Sequence, residues 1–289
     1  MAEGNSIISV GELSKPAVVL VEKISEAIGG ICKPWQMKRV AKAEAEAERI
    51  KVLARVETTE LEKLALGRFI YEETKKQKNI ENITHQSLPQ LNAGAKPEGM
   101  EEDWITNFFD KCRLISDEEM QSIWARILAG EANTPGKFSK RTINFMESLD
   151  KQDAKLFTKL CAFNWILDGG PHPLIYNVKE EIYTKNGINF SILKHLDAIG
   201  LISFESLSGY KKEGFPKGTV VTYKDAPYLL KFPNENDNHL NIGKVLLTSI
   251  GSELASICVP EVVAGLEEYV VNMWKSQGVE VIKILPPPL

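Results

Sequence analysis

Histidine and cysteine are scarce in this 289-residue chain, at four each, and neither is spaced for chemistry. His85, His172, His195 and His239 are scattered, and no H-E-x-x-H metal motif occurs. Cys32, Cys112, Cys161 and Cys258 form no C-x-x-C pair and lie in apolar, helix-like surroundings. They read as buried thiols of a reducing compartment, not as a disulfide scaffold or a zinc site. The Walker loop and the dinucleotide glycine fingerprint are missing, and no serine stands in a nucleophile elbow. No uncharged apolar run reaches the roughly 18 residues of a spanning helix. The nearest run, residues 16–35, is interrupted by Glu22, Lys23 and Glu26. The opening residues MAEGNSIISVGELSKP have neither the basic start nor the apolar core of a secretory leader, so a cytoplasmic location is expected. Arginine is absent after Arg141. These gaps point away from enzymes of familiar type and predict no cofactor, no metal and no small-molecule substrate.

What is present is an average soluble composition, 43% hydrophobic and 26% charged, which excludes global disorder. The length is that of about two domains. Net charge is −4, and only residues 33–80 are net positive, with twelve basic groups against eight acidic ones. That excess is too small to predict nucleic-acid binding by itself. Residues 13–32 space Val18, Leu20, Val21, Ile24, Ala27, Ile28 and Ile31 mostly by three and four. This predicts an amphipathic helix capped by Ser14, with Pro16 in its first turn and a weak end at Gly29-Gly30. One reading makes residues 13–35 an interfacial membrane helix; the other, favoured because Lys and Arg are few, packs the helix on its own protein.

From Trp35 to about Lys78 the chain has no proline and only Gly67, and is rich in strong helix formers. A heptad starting at Val40 places Val40, Ala47, Ala54, Leu61 and Arg68 at one position and Ala43, Ile50, Glu57, Leu64 and Tyr71 at the other. This is a thin coiled-coil seam, so a protein partner or self-association through residues 36–78 stands beside a helix lying across its own domain, broken near Thr58-Thr59. Residues 81–100, with Pro89, Asn92, Gly94, Pro97 and Gly99, read as a linker.

The next stretch is the most informative. Trp104, Phe108 and Cys112 line a short helix; Ser116 and Glu119 have the spacing of a capping box. Met120, Ile123, Trp124, Ile127 and Leu128 then keep helical periodicity. Ser139 caps a further helix, and Asp150 and Asp153 open another carrying Leu156, Phe157, Leu160 and Cys161. Asp103, Trp104, Trp124, Glu131 and Arg141 form the candidate motif cluster. The tryptophans read as core, and the polar three as caps plus one internal Arg–carboxylate pair, the alternative being an acid–base or ligand cluster. The string DW…FF…SDEEMQ-x-x-WA-x-ILAGE-x-x-x-PG-x-FS-x-RT, with KPW-x-x-KR-x-AKAEAEA before it, resembles an uncharacterised bacterial family known only as a domain of unknown function. More distantly it is similar to the alpha-type abortive-infection proteins. The resemblance covers residues 10–168 well and the rest loosely. It implies no established activity, and a role in phage defence or mobile-element biology.

The C-terminal third follows Gly169-Gly170-Pro171-His172-Pro173, which reads as an exposed joint. Residues 174–185 fit a strand or a short helix. Asn189 starts a helix that Gly200 stops; LISF, TVVTY and PYLLKF read as strands, and residues 209–218 as a polar hairpin. Helices follow Thr248 and residue 260, and VEVIKIL is a last strand. The order resembles winged-helix proteins. In that reading Asn189, Ser191, Lys194 and His195 lie on the recognition helix and Lys211, Lys212 and Lys217 on the wing as candidate DNA contacts. The missing arginine counts against base readout. The expectation is therefore a mainly α protein with a smaller α+β part. It comprises an amphipathic helix and charged helical arm (1–80), a helical core domain (81–168) and a winged-helix-like α+β domain (169–289). It is expected to act non-enzymatically through protein contacts, with a DNA-binding regulator or a membrane-perturbing effector as alternatives.

Overall fold

The computed structural model describes residues 13–29 and 59–284. About half of it is helical and the remainder includes antiparallel sheet, a mixed α+β protein. The chain divides into two compact units, residues 1–148 and 149–289.

The first unit is helical: α1 (Lys15–Ile28), α2 (Glu60–Ser87), α3 (Glu102–Cys112), α4 (Glu118–Asn133) and α5 (Lys140–Glu147). Ser14 caps α1 by accepting from the Ala17 N–H at 3.4 Å, and Pro16 occupies its first turn. Gly29 closes it at φ +85°, where a Cβ would be strained. Ala17, Leu20 and Ile24 are buried, and α1 packs on α3. The apolar face that an interfacial membrane helix would need is thus covered by protein.

Residues 35–58 of the expected long helix lie outside the described residues. Its described part, α2, begins at Thr59 with a capping box: Thr59 Oγ1 accepts from the Glu62 N–H at 3.3 Å and Glu62 Oε2 from the Thr59 N–H at 2.8 Å. The helix then runs through residues 81–87, which the sequence reading assigned to a linker. No breaker precedes Pro89, and Ile80, Ile83, Thr84 and Ser87 keep the spacing of a buried face against α4. Between these helices Gln121 Nε2 donates to Asn79 Oδ1 at 3.1 Å and to the Ile115 carbonyl at 2.8 Å. Asn79 Nδ2 donates to the Arg113 carbonyl at 2.9 Å. The cap of α4 is Asp117, whose Oδ1 accepts from the Met120 N–H at 3.0 Å, in place of the expected Ser116–Glu119 box. Ser116 instead accepts from Asn79 Nδ2 at 3.3 Å.

The second unit opens with α6 (Lys151–Cys161) and the hairpin β1 (Asn164–Leu167) and β2 (Gly170–Pro173). After it come α7 (Glu181–Thr184), α8 (Phe190–Ala198), β3 (Ile202–Phe204), β4 (Tyr210–Phe215), β5 (Gly218–Tyr223) and β6 (Ala226–Lys231). The chain continues through β7 (Asn238–Gly243), β8 (Val245–Leu247), α9 (Ser249–Ala255), α10 (Leu266–Ser276) and β9 (Glu280–Lys283). One antiparallel sheet has the order β2-β1-β5-β6-β9; β3 pairs with β8 and β4 with β7. The boundary precedes the joint expected at residues 168–173, because α6 packs on α8. That joint is the β1–β2 hairpin, turned by Asp168 and Gly169 at φ 51° and 77°. Pro171 and Pro173 are tolerated there because β2 is an edge strand. Residues 209–218 are not a closed hairpin either: β4 reaches across to β7.

An aromatic core centres on Trp165, whose ring lies 4.9 Å from Tyr223, 5.1 Å from Tyr228 and 4.8 Å from Trp274, centroid to centroid. At α9, Thr248 accepts from the Gly251 N–H at 3.0 Å and donates to the Gly200 carbonyl at 2.8 Å. A Cβ on Gly251 would fall 2.0 Å from the Leu201 carbonyl oxygen, which is backbone and cannot give way. Gly251→Ala should therefore destabilise the protein by about 1–3 kcal/mol, the cost of overpacking. Urea unfolding followed by circular dichroism checks this, and an unchanged midpoint refutes it.

Candidate functional site

The motif cluster assembles in the first unit around Phe138. Trp104, on α3, donates its indole N–H to the Phe138 carbonyl at 2.7 Å. Glu131, near the end of α4, accepts from the Phe138 N–H at 2.9 Å and the Gly136 N–H at 2.6 Å. Both backbone polar groups of one buried residue are thus held by side chains from two helices. Gly130 permits this: a Cβ there would meet the Phe138 ring at 2.7 Å. Gly136, at φ +83°, turns the chain back. Beneath the turn Trp104 stacks on Phe108 at 5.1 Å, and Trp124 meets Phe108 edge-on at 5.2 Å. Trp124 is fully buried.

The polar members do not form the expected Arg–carboxylate pair. Lys140, the first residue of α5, reaches Asp103 at 3.6 Å. Arg141 is exposed and makes no ion pair among the described residues. Both acidic partners are differently placed: Asp103 is exposed at the start of α3, whereas Glu131 is 2% exposed. Burial raises the Glu131 pKa, outweighing the Phe138, Gly136 and Lys137 N–H groups, which lower it. A buried carboxylate saturated by backbone donors has no open side for a substrate, so its chemistry here is that of a turn clamp.

The lysine and histidine set lies in the second unit, and carboxylates hold most of it. Lys194 on α8 bonds Asp197 at 2.6 Å, which lowers the Asp197 pKa. Asp197 also accepts from the Phe204 N–H at 3.2 Å, fastening α8 to β3. His195 Nε2 lies 2.6 Å from Asp153 Oδ1 of α6. Lys212 pairs with Asp168 at 3.3 Å, and Lys217 pairs with Glu235. Lys211, exposed on β4, makes no ion pair among the described residues. Four of the five lysine and histidine candidates are thus internally compensated, and three of the pairings were hidden from spacing because Asp153, Asp168 and Glu235 are distant in sequence from their partners.

His172 is not in an open loop. It lies half-buried in β2 opposite Trp165, its Nδ1 2.9 Å from the Gly170 carbonyl oxygen, and burial lowers its pKa. A cavity of about 360 Å³ beside Tyr228 is bordered by Glu267, Glu268 and Lys283, with Lys283 bonded to Glu267 at 2.8 Å. Sequence reading missed this group because Tyr228, Glu267 and Lys283 come from β6, α10 and β9. Among the described residues no group of three or more His, Cys, Asp and Glu is placed to hold a metal ion, and no helix is long and apolar enough to cross a membrane.

The raised Glu131 pKa has a testable sign. The folded state holds this proton more tightly than the unfolded chain, so the contribution is full below the unfolded pKa and is lost as pH rises through the folded one. Urea unfolding between about pH 4 and about pH 7 should show the stability of the parent protein declining relative to Glu131→Gln as pH rises. Parallel profiles for the two proteins contradict it.

No curated protein and no solved structure matches the chain. One family model does, over residues 64–273, from within α2 to within α10 and so through both units. That span is well over half of the 289 residues, and the chain accordingly belongs to the family described as protein of unknown function (DUF2806).

Proposed function

We propose that this chain is a non-enzymatic protein-interaction protein that pairs with a second copy of itself through the first half of α2. The observation that carries the reading is the division of that helix. Its second half is buried against α4, while Leu61, Leu64, Phe69 and Tyr71 of the first half are 60–76% exposed. Large apolar side chains clustered in this way on one helix segment mark contact surfaces. Leu61, Leu64, Arg68 and Tyr71 continue the heptad positions read from the sequence; the members before residue 59 lie outside the described residues.

Charge favours a second copy over an unrelated partner. The segment opens on Glu60 and Glu62, followed by Lys63, and closes on Lys75, Lys76 and Lys78, preceded by Glu72 and Glu73. Within one copy Glu60 pairs with Lys63 at 3.1 Å and Glu73 with Lys76 at 2.6 Å; an antiparallel copy centred near residue 68 sets these two pairs against each other, Glu60 facing Lys76 and Lys63 facing Glu73. Arg68 at that centre is already compensated by Glu72 at 3.6 Å. Helices paired this way gain apolar burial along the seam and fix their register through flanking charges.

Sedimentation analysis of the full chain should show a concentration-dependent dimer. Leu64→Glu combined with Phe69→Glu, both exposed and harmless to the monomer core, should weaken the dimer at least tenfold; a parent protein that stays monomeric at high concentration refutes the reading. A part in phage defence, which the proposal also includes, rests on the resemblance alone, carried by residues 10–168. Cells expressing the protein should lower plaquing by some members of a phage panel, and unchanged plaquing across a broad panel removes that element.

A second reading, a winged-helix DNA-binding regulator, is favoured by topology: α6, α7 and α8 are followed by β3 paired antiparallel with β8. Ile175 bridges to Gly243, and a long excursion, β4 to β7, stands in the place of a wing. The compensated lysines weigh against it. A mobility-shift assay at low salt decides it: a complex that is lost on changing Lys194, Lys211 and Lys212 to Glu supports DNA binding, and no complex with the parent protein ends it.

A further inference from the structure

Two of the four cysteines, far apart in sequence, meet in the second unit. Cys161 ends α6, and Thr158, three residues earlier, lies one turn back on the same face. Thr158 Oγ1 approaches Cys258 Sγ at 3.8 Å, which sets Cys258 against the last turn of α6, where Cys161 stands. Cys258 stands just beyond α9, where its Sγ points to the Leu254 carbonyl at 3.5 Å. The tip of the β5–β6 hairpin closes over this segment: Lys224, at φ 47°, donates to the Pro260 carbonyl at 3.2 Å, and its charge bears on Cys161. Asn164 Oδ1, also buried beside Cys161, has no hydrogen-bond partner among the described residues.

We propose that Cys161 and Cys258 are a redox-responsive dithiol, which a low-molecular-weight disulfide oxidises to an intramolecular disulfide that clasps α6 to the segment after α9. The two sulfurs are unequal in access. Cys258 is half-buried, whereas Cys161 is 4% exposed. The neighbouring Cys258 thiol, then burial, hold the Cys161 thiol well above its ordinary range. The order of events follows from this, since the accessible thiolate reacts first.

The Cys258 thiolate attacks one sulfur of the external disulfide, forming a mixed disulfide and expelling one external thiolate, which takes up the Cys258 proton. Cys161 then attacks the Cys258 sulfur; the bond to the external group breaks, and the second external thiolate leaves with the Cys161 proton. Two protein thiols are oxidised to one disulfide and one external disulfide is reduced to two thiols, with no net change in protons. Cys112 takes no part. It is fully buried in the other unit, at the end of α3, with its thiol pushed up by burial.

The test uses the full chain and oxidised glutathione. The reduced protein, incubated with it and freed of excess reagent, should lose the mass of two hydrogens, and a non-reducing digest made after alkylation should contain one peptide pair joining Cys161 to Cys258. Dithiothreitol should restore the starting mass. Cys161→Ser should stop at a stable glutathione adduct on Cys258, and Cys258→Ser should leave Cys161 unmodified. The parent protein alone is decisive if either variant fails to fold. A glutathione adduct on Cys258 without the cross-link, a link through another cysteine, or an unmodified protein each overturns the proposal.

Discussion

The first unit depends on the clamping of Phe138. A turn that leaves α4 and enters α5 must bury backbone, and an unpaired buried N–H or C=O costs about 1–3 kcal/mol. Here Glu131 takes the N–H and the Trp104 indole takes the C=O. The Phe138 ring can then lie against Gly130, and the Trp104–Phe108–Trp124 stack closes beneath. Removing either side chain leaves one half of a buried peptide unsatisfied, and enlarging Gly130 displaces the ring that the clamp positions. Trp104 and Glu131, which stand out in the sequence, form on this geometry a device for turning the chain.

In the second unit the organising constraint is electrostatic as well as apolar. The three lysines and the histidine that make a linear reading look receptive to anions are matched across the fold by carboxylates from the β1–β2 turn, α8 itself and the segment before β7 for the lysines, and from α6 for His195. Exposed pairs of this kind add little stability, typically below about 1 kcal/mol each. Their larger effect is on the field: a lysine beside its own carboxylate presents little positive potential to a phosphate backbone. The aromatic core around Trp165 supplies the apolar driving force, and Gly251 lets α9 approach the Leu201 carbonyl.

Much of the local structure was legible in advance. Ser14 and Ser139 cap helices where their residue types and spacing predicted, Asn189 and Thr248 stand at the expected helix starts, and Gly200 stops α8 at φ +87°. Errors fell where a nearby competitor was invisible in a linear string. Asp117 displaced Ser116 as a cap because Asn79, from another helix, engaged the serine. Residues 81–87 stayed helical because α4 was there to bury them. β7 went unseen since Asn238, His239 and Asn241 carry no strand propensity; pairing with β4 holds it.

The sequence by itself determined the apolar periodicity, the caps, the core tryptophans, the absence of familiar catalytic motifs and the uneven placement of arginine. Each is a property of residue type and local spacing, which act over one or two turns of chain. Tertiary structure alone decided which charges cancel, which thiols meet, which half of α2 is covered and that Glu131 serves a backbone turn. Those outcomes depend on groups distant in sequence coming within a few ångströms, where hydrogen bonding and desolvation outweigh any local preference.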